Sequence, residues 1–208
     1  MTKYTWEEII KQVGLDSQLE SNVGVPHVPD EKVHLFHALD GGTTEFEWLN
    51  LIRSFVVAMK SELCLELGTF LGYGALSIAS GLDYNGCGKL IAVDNDSGAI
   101  EKATNLLNRF NVSDKTSFIC DDASRFIDNY KGQQFDLVFI DSGGGRYTEY
   151  QQLLKLNLLK KGGVVIIHDM SVLRSGPTPN TPWRIDFENN TDVFVLPLSR
   201  GLGIIFNK

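Results

Sequence analysis

The chain has 208 residues, 43% of them apolar and 22% charged, with a formal net charge of −7. That size and balance suit one globular domain with a substantial core, and the acidic excess argues against a surface built overall for nucleic acid. No apolar run approaches the roughly 20 residues of a membrane span, and the opening MTKYTWEEIIKQV lacks the unbroken apolar stretch of a secretory signal.

In chain order, residues 5–13 predict a short helix with Trp6, Ile9, Ile10 and Val13 on one face. The following SNVGVPHVPDEKVHLFHALDGG, with two prolines and a glycine pair, predicts an irregular segment over the edge of the core. His34 and His37 stand three apart in it and read as packing or surface residues rather than metal ligands. Thr43 or Thr44 is expected to cap a helix whose Trp48, Ile52, Phe55, Val56 and Met59 recur at helical spacing and face the core.

From Leu63 onward strand and helix signals alternate. Strands are expected at 63–66, 90–94, 116–120, 135–141 and 163–169, with helices between them around Ile78, Leu107, Phe126 and Leu153. Continuous apolar strands joined by helices predict a parallel sheet covered on both faces. After a stretch at 171–191 rich in Pro, Ser, Asn and Thr, two strands at 193–198 and 202–206 are separated by a turn too short for anything but an antiparallel pair. Cys64, Cys87 and Cys120 are odd in number and widely spaced, which reads as reduced thiols, so the cytoplasm is the expected location.

The chain is organised around LCLELGTFLGYGALSIAS at 63–80, a strand, a glycine-rich turn and a helix start. A dinucleotide-binding turn of G-x-G-x-x-G type, counted from Gly68, needs glycine where Phe70 and Tyr73 stand, so that fingerprint fails and a dehydrogenase is disfavoured. A carboxylate at Glu66 repels phosphate but attracts a cationic ligand. The turn E-x-G-x-x-x-G instead resembles the first motif of Rossmann-like methyltransferases that use S-adenosylmethionine, whose sulfonium and ammonium both suit Glu66.

Every predicted parallel strand ends in an acid or is followed at once by one: Glu66, Asp94, Asp121 with Asp122, Asp141 and Asp169. Ligands of open parallel sheets bind outside these carboxyl ends. Asp94, 22 residues past Gly72, has a suitable reach for accepting both ribose hydroxyls; Asp122 would meet the adenine amino group, with Ala123 behind the ring. Asp141 and Asp169 then remain as a pair beside His168, a set that can hold a divalent cation or orient a base.

ELGTFLGYGALSIA, the Asp94 strand, FDLVFIDSGGGRYTEY, KKGGVVIIHDM and LPLSRGLGIIF fall in the order found in O-methyltransferases of the catechol and caffeoyl-coenzyme A type, which this chain resembles over residues 43–170 and 196–206. The resemblance implies a Rossmann-like three-layer fold with a mostly parallel seven-stranded sheet and an antiparallel last strand. It implies one methyltransferase domain over 1–208, with 1–42 as an N-terminal cap segment and 43–208 as the catalytic core. It assigns the cofactor to Thr43, Thr44, Glu66, Gly68, Thr69, Gly72, Tyr73, Gly74, Asp94, Asp122, Ala123 and Asp141.

The family's metal site takes an Asp at the FID strand end and an Asp–Asn pair after the next strand. Asp141 and Asp169 match, but Met170 stands for the Asn, and Ser142-Gly143-Gly144-Gly145 fills the stretch that often carries a lysine base. A thioether suits a hard cation poorly. Two mechanisms therefore stay open, one assisted by Mg²⁺ or another divalent cation on Asp141 and Asp169, the other using His168 as base. The expected reaction is methylation of a small-molecule hydroxyl, with amine methylation or cofactor binding without turnover as alternatives. Ser171, Thr191 and the residues between them, together with 21–42, would wall the acceptor, with Trp183 and Phe187 packing on a ring. A homodimer is the expected assembly.

Overall fold

The computed structural model describes residues 20–21, 37–38, 42–171 and 182–208. The helix expected at 5–13, His34, most of the two segments expected to wall the acceptor, and the side chain of Trp183 lie outside the described residues. Glu20–Ser21 and His37–Ala38 form a short antiparallel pairing of their own.

The first long helix, α1, spans Phe46–Met59. Trp48, Ile52 and Val56 are buried along it, while Phe55 and Met59 pack against the same core from its margin, as the helical spacing predicts. The expected threonine cap is corrected. The N-cap is Glu45 and no side chain caps the helix. The Thr44 hydroxyl is instead drawn to Asp141, 2.6 Å away.

Strand β1 (Leu63–Leu67) leads through the glycine turn into α2 (Tyr73–Asn85). Then come β2 (Lys89–Asp94), α3 (Ser97–Arg109), β3 (Thr116–Cys120), α4 (Ala123–Asn129), β4 (Phe135–Ile140), α5 (Arg146–Lys155) and β5 (Leu159–His168). A last helix α6 (Pro182–Asn190) precedes β6 (Phe194–Leu196) and β7 (Leu202–Phe206). The seven strands form one sheet in the order β3-β2-β1-β4-β5-β7-β6. β1 to β5 run parallel, and β7 is antiparallel to both of its neighbours. This is the expected Rossmann-like architecture.

Side chains of consecutive strand residues leave opposite faces of the sheet, which explains why the strands read as unbroken apolar runs. Cys64, Leu137, Phe139, Val164 and Ile166 join α1, α2 and α3 in one core. Leu65, Leu67, Val138, Ile140, Val165 and Ile167 join α4, α5 and α6 in another. Each large side chain so buried contributes roughly 1.5–3 kcal/mol. Phe187 belongs to this second core, fully buried with Tyr147 edge-on at 4.9 Å and Tyr150 at 5.3 Å. It is therefore not available to pack on an acceptor.

Register brings the strand ends level. Leu67 pairs with Val93 and with Ile140, and Ile140 pairs with Ile167. One row beyond lie Gly68, Asp94, Asp141 and His168, side by side along the carboxyl edge.

A candidate active site at the carboxyl edge of the sheet

Two backbone approaches shape this edge. Gly68 has φ +88°, and a Cβ there would lie 2.6 Å from the Asp141 carbonyl oxygen and the Ser142 nitrogen. Only glycine allows the β1 and β4 turns to come so close. Gly72 serves differently. It also has positive φ, and its Cβ would strike Ala103 at 2.7 Å, so it seats α2 on α3. It is not among the residues that line the two cavities described below.

A cavity of about 510 Å³ opens along the edge. Gly68, Phe70, Asp94, Asn95, Asp122 and Ala123 form one side of it, and Asp141, Ser142, Gly143, Gly144, Gly145 and Glu149 another. A smaller recess of about 20 Å³ shares Gly68, Phe70 and Asp141 and reaches Thr43, Thr44, Glu66, Thr69, Tyr73 and Gly74. Apart from Gly72, the residues that the sequence assigns to the cofactor thus converge on one connected edge. Phe70, Ser142 and Glu149 were not foreseen there.

Glu66 sits at the inner end of that recess, 1% exposed. Burial pushes its carboxyl well above the usual carboxylate range, against a stabilising hydrogen bond from Thr69. Its Oε2 has no hydrogen-bond partner. A side chain at Gly74 would collide with the other oxygen, so the helix start is hollowed out around this acid. Asp94 is presented differently. Its Oδ2 accepts from the Phe70 N–H at 2.8 Å and its Oδ1 from the Asp96 N–H at 2.9 Å. A carboxylate held by two amides keeps lone pairs for a ligand. Asp122 caps α4 by accepting from the Arg125 N–H.

At the other end of the edge the ligand-type atoms of Asp141, His168 and Asp169 lie within 4.8 Å of one another. His168 is buried, with Nδ1 3.1 Å from Asp141 Oδ1 and Nε2 2.8 Å from Glu45 Oε2. Burial alone would lower its pKa, but the carboxylates of Asp141, Asp169 and Glu45 outweigh that and raise it to about 9. Both ring nitrogens face carboxylates at hydrogen-bond distance. It is not placed to take a proton from an acceptor, which corrects the reading of His168 as base.

Three further residues, not foreseen, complete the cluster. Arg146, the first residue of α5, reaches Asp141 at 3.0 Å and Asp169 at 2.9 Å. A cation at a helix N-terminus opposes the helix dipole, so it is the two carboxylates that hold it there. Glu45 receives hydrogen bonds from Ser199 and from Arg200, whose Nε lies 3.1 Å away. Burial would raise its pKa, yet His168 and Arg200 keep it far below the usual range. Arg200 also donates to the Thr43 carbonyl.

A family model described as O-methyltransferase matches residues 32–178. The chain is 31% identical over 163 residues to the caffeoyl-CoA O-methyltransferase of Stellaria longipes, covering 74% of this chain and 64% of that protein. The enzyme of the same name from Populus kitakamiensis is 30% identical over 134 residues, 62% of this chain and 56% of that one. The chain therefore spans about 56–64% of these relatives' length. The SAH-bound methyltransferase PaMTH1 of Podospora anserina superposes with a TM-score of 0.70 at 18% identity, over 80% of this chain and 81% of that one, and shows the shared fold. With that family model matching well over half of its length, the chain belongs to the O-methyltransferase family.

Proposed function

We propose that this chain transfers a methyl group from S-adenosylmethionine to a hydroxyl group of a small-molecule acceptor. The observation that carries the reading is the pairing, on one edge, of a buried Glu66 whose Oε2 has no partner with an amide-held Asp94. An oxygen with no partner in a water-poor recess suits a cationic group of a ligand. An anchored carboxylate suits a diol. Glu66 would hold the amino-acid end of the cofactor, Asp94 its ribose, and Asp122 with Ala123 its base. When bound, the cofactor supplies an electrophilic methyl group on a positively charged sulfur.

What the protein adds is mostly placement. In-line approach of acceptor oxygen to methyl carbon needs both partners held, and such holding accounts for several kcal/mol of the barrier in oriented reactions. Asp141 lines both cavities and is itself fixed by Thr44, Arg146 and His168. It is the carboxylate positioned to accept a hydrogen bond from the acceptor hydroxyl.

Calorimetry with S-adenosylmethionine, its demethylated product and NADH tests the reading. Micromolar-scale binding of the first two is expected, and tight NADH binding with neither of them would overturn it. Asp94→Ala should weaken cofactor binding by at least tenfold, since each lost hydrogen bond to a charged group is worth roughly 1.5–3 kcal/mol. The melting temperature should hardly move, because Asp94 lies at the cavity rather than in the core. An unchanged dissociation constant would place the ribose elsewhere.

A further inference from the structure

We propose that the Arg146 guanidinium takes the place of a divalent cation at the Asp141–Asp169 pair, so that this cluster binds no metal. The inference rests on the reading above only for what the cluster does in methyl transfer; ion binding is measured without turnover and is decided separately.

The geometry is that of an occupied cation site. One guanidinium nitrogen lies 3.0 Å from Asp141 Oδ1 and another 2.9 Å from Asp169 Oδ2. The same group donates to the His168 carbonyl at 2.7 Å and to the Ser142 carbonyl at 2.5 Å. Four bonds from one planar fork fix its position and direction, which an ammonium could not do. Arg146 is 6% exposed, so it is a built part of the site rather than a surface side chain resting on it.

The surroundings do not fit a metal. Met170, which follows Asp169, is wholly buried and packs against Gly203. It offers a thioether, which suits a hard cation poorly, and faces the core. His168 has both nitrogens committed to carboxylates. A Mg²⁺ or Mn²⁺ ion joining the two aspartates would have to share them with a fixed positive charge a few ångströms away.

The exchange alters what the site can do for an acceptor. A metal ion keeps coordination positions open for substrate oxygens and draws two adjacent oxygens to itself. A guanidinium whose donors point at Asp141, Asp169 and two carbonyls offers no such chelation. Recognition then falls to Asp141 as a hydrogen-bond acceptor, and a single hydroxyl is as good a substrate as a vicinal pair. Arg146 acts as a positioning residue that holds Asp141.

The test is Mn²⁺ titration of the wild-type chain, followed by electron paramagnetic resonance with S-adenosylhomocysteine present, beside Asp141→Asn and Arg146→Ala. Wild type is expected to bind no Mn²⁺ at the cluster up to about 1 mM, the weak end of oxygen-ligand sites. Arg146→Ala, with the carboxylates released, should gain Mn²⁺ binding that the added Asp141→Asn change removes, and Mn²⁺ should recover part of its lost melting temperature. Wild-type Mn²⁺ binding that survives Asp141→Asn lies outside the cluster and agrees with the proposal. Wild-type binding abolished by Asp141→Asn overturns it, as does a folded Arg146→Ala that gains none. If Arg146→Ala does not fold, the wild-type titration alone decides.

Discussion

Glu66→Gln is expected to make the ligand-free protein more stable at neutral pH while weakening S-adenosylmethionine binding tenfold to a hundredfold. The carboxyl is buried, one oxygen has no partner, and burial raises its pKa well above 4.5. The sign follows from proton linkage. A carboxyl with a folded pKa above the unfolded value costs the protein nothing below the unfolded pKa. As pH rises from there to the folded pKa, stability falls by about 1.4 kcal/mol per pH unit. Glutamine has no such slope, so its advantage should be small at pH 5 and grow toward pH 7. In the proposed complex the same group meets a cation and must ionise. Binding should therefore release a proton, seen by calorimetry as a heat that depends on the buffer. The affinity loss is that of a charge-assisted bond, roughly 1.5–3 kcal/mol. Equal affinity in the variant together with no proton release would remove Glu66 from the cofactor site.

Glu45→Ala should lower stability by about 3–5 kcal/mol, the usual cost of stranding buried charges. For a chain of this size that is roughly a 10 °C fall in melting temperature. The reason is that Glu45 is shared. It is 2.8 Å from His168 and 3.1 Å from Arg200, both buried, and it accepts from Ser199. Glu62→Ala is the natural contrast. Its carboxylate is exposed and reaches Lys160 only at 3.9 Å, so its loss should fall within about 0.5 kcal/mol. A Glu45→Ala protein melting within a degree or two of wild type would show that the cluster is not the tie described here.

Much of this was legible before any coordinates. Strings such as VVII at 164–167 read as strands covered on both faces, and acids at their ends marked the edge where ligands bind. Register then makes neighbours of Gly68, Asp94, Asp141 and His168, because level parallel strands align the residues that follow them. What could not be read was the choice among partners. Thr44 looked like a cap because local rules favour it, but Asp141, distant in sequence, competes for its hydroxyl and wins. Gly72 matched a ligand-turn motif, and its close approach to Ala103 on α3 is a packing demand the motif does not show. The burial of Arg146 and Arg200 was not anticipated, since arginine is rarely buried without partners. Arg146 joins nearby Asp141 to Asp169, 23 positions on, and Arg200 reaches back 155 positions to Glu45, matches that the local sequence does not announce.

The tie between Glu45 and Arg200 also bears on the order in which the molecule assembles. A nascent chain emerging only as far as β5 can pair all its parallel strands and form one helical layer and most of the other, yet it lacks α6 and the turn that carries Ser199 and Arg200. Its Glu45 would then face His168 alone, and Thr43 would lack the guanidinium that anchors its carbonyl. Closing that contact is a late, non-local event, the kind that slows folding because a long loop must close before any reward is collected. The start of α1, and with it the threonines bordering the recess, is fastened by residues made more than a hundred and fifty positions later. Synthesis from N- to C-terminus therefore leaves the edge of the sheet unfinished until its last hairpin docks.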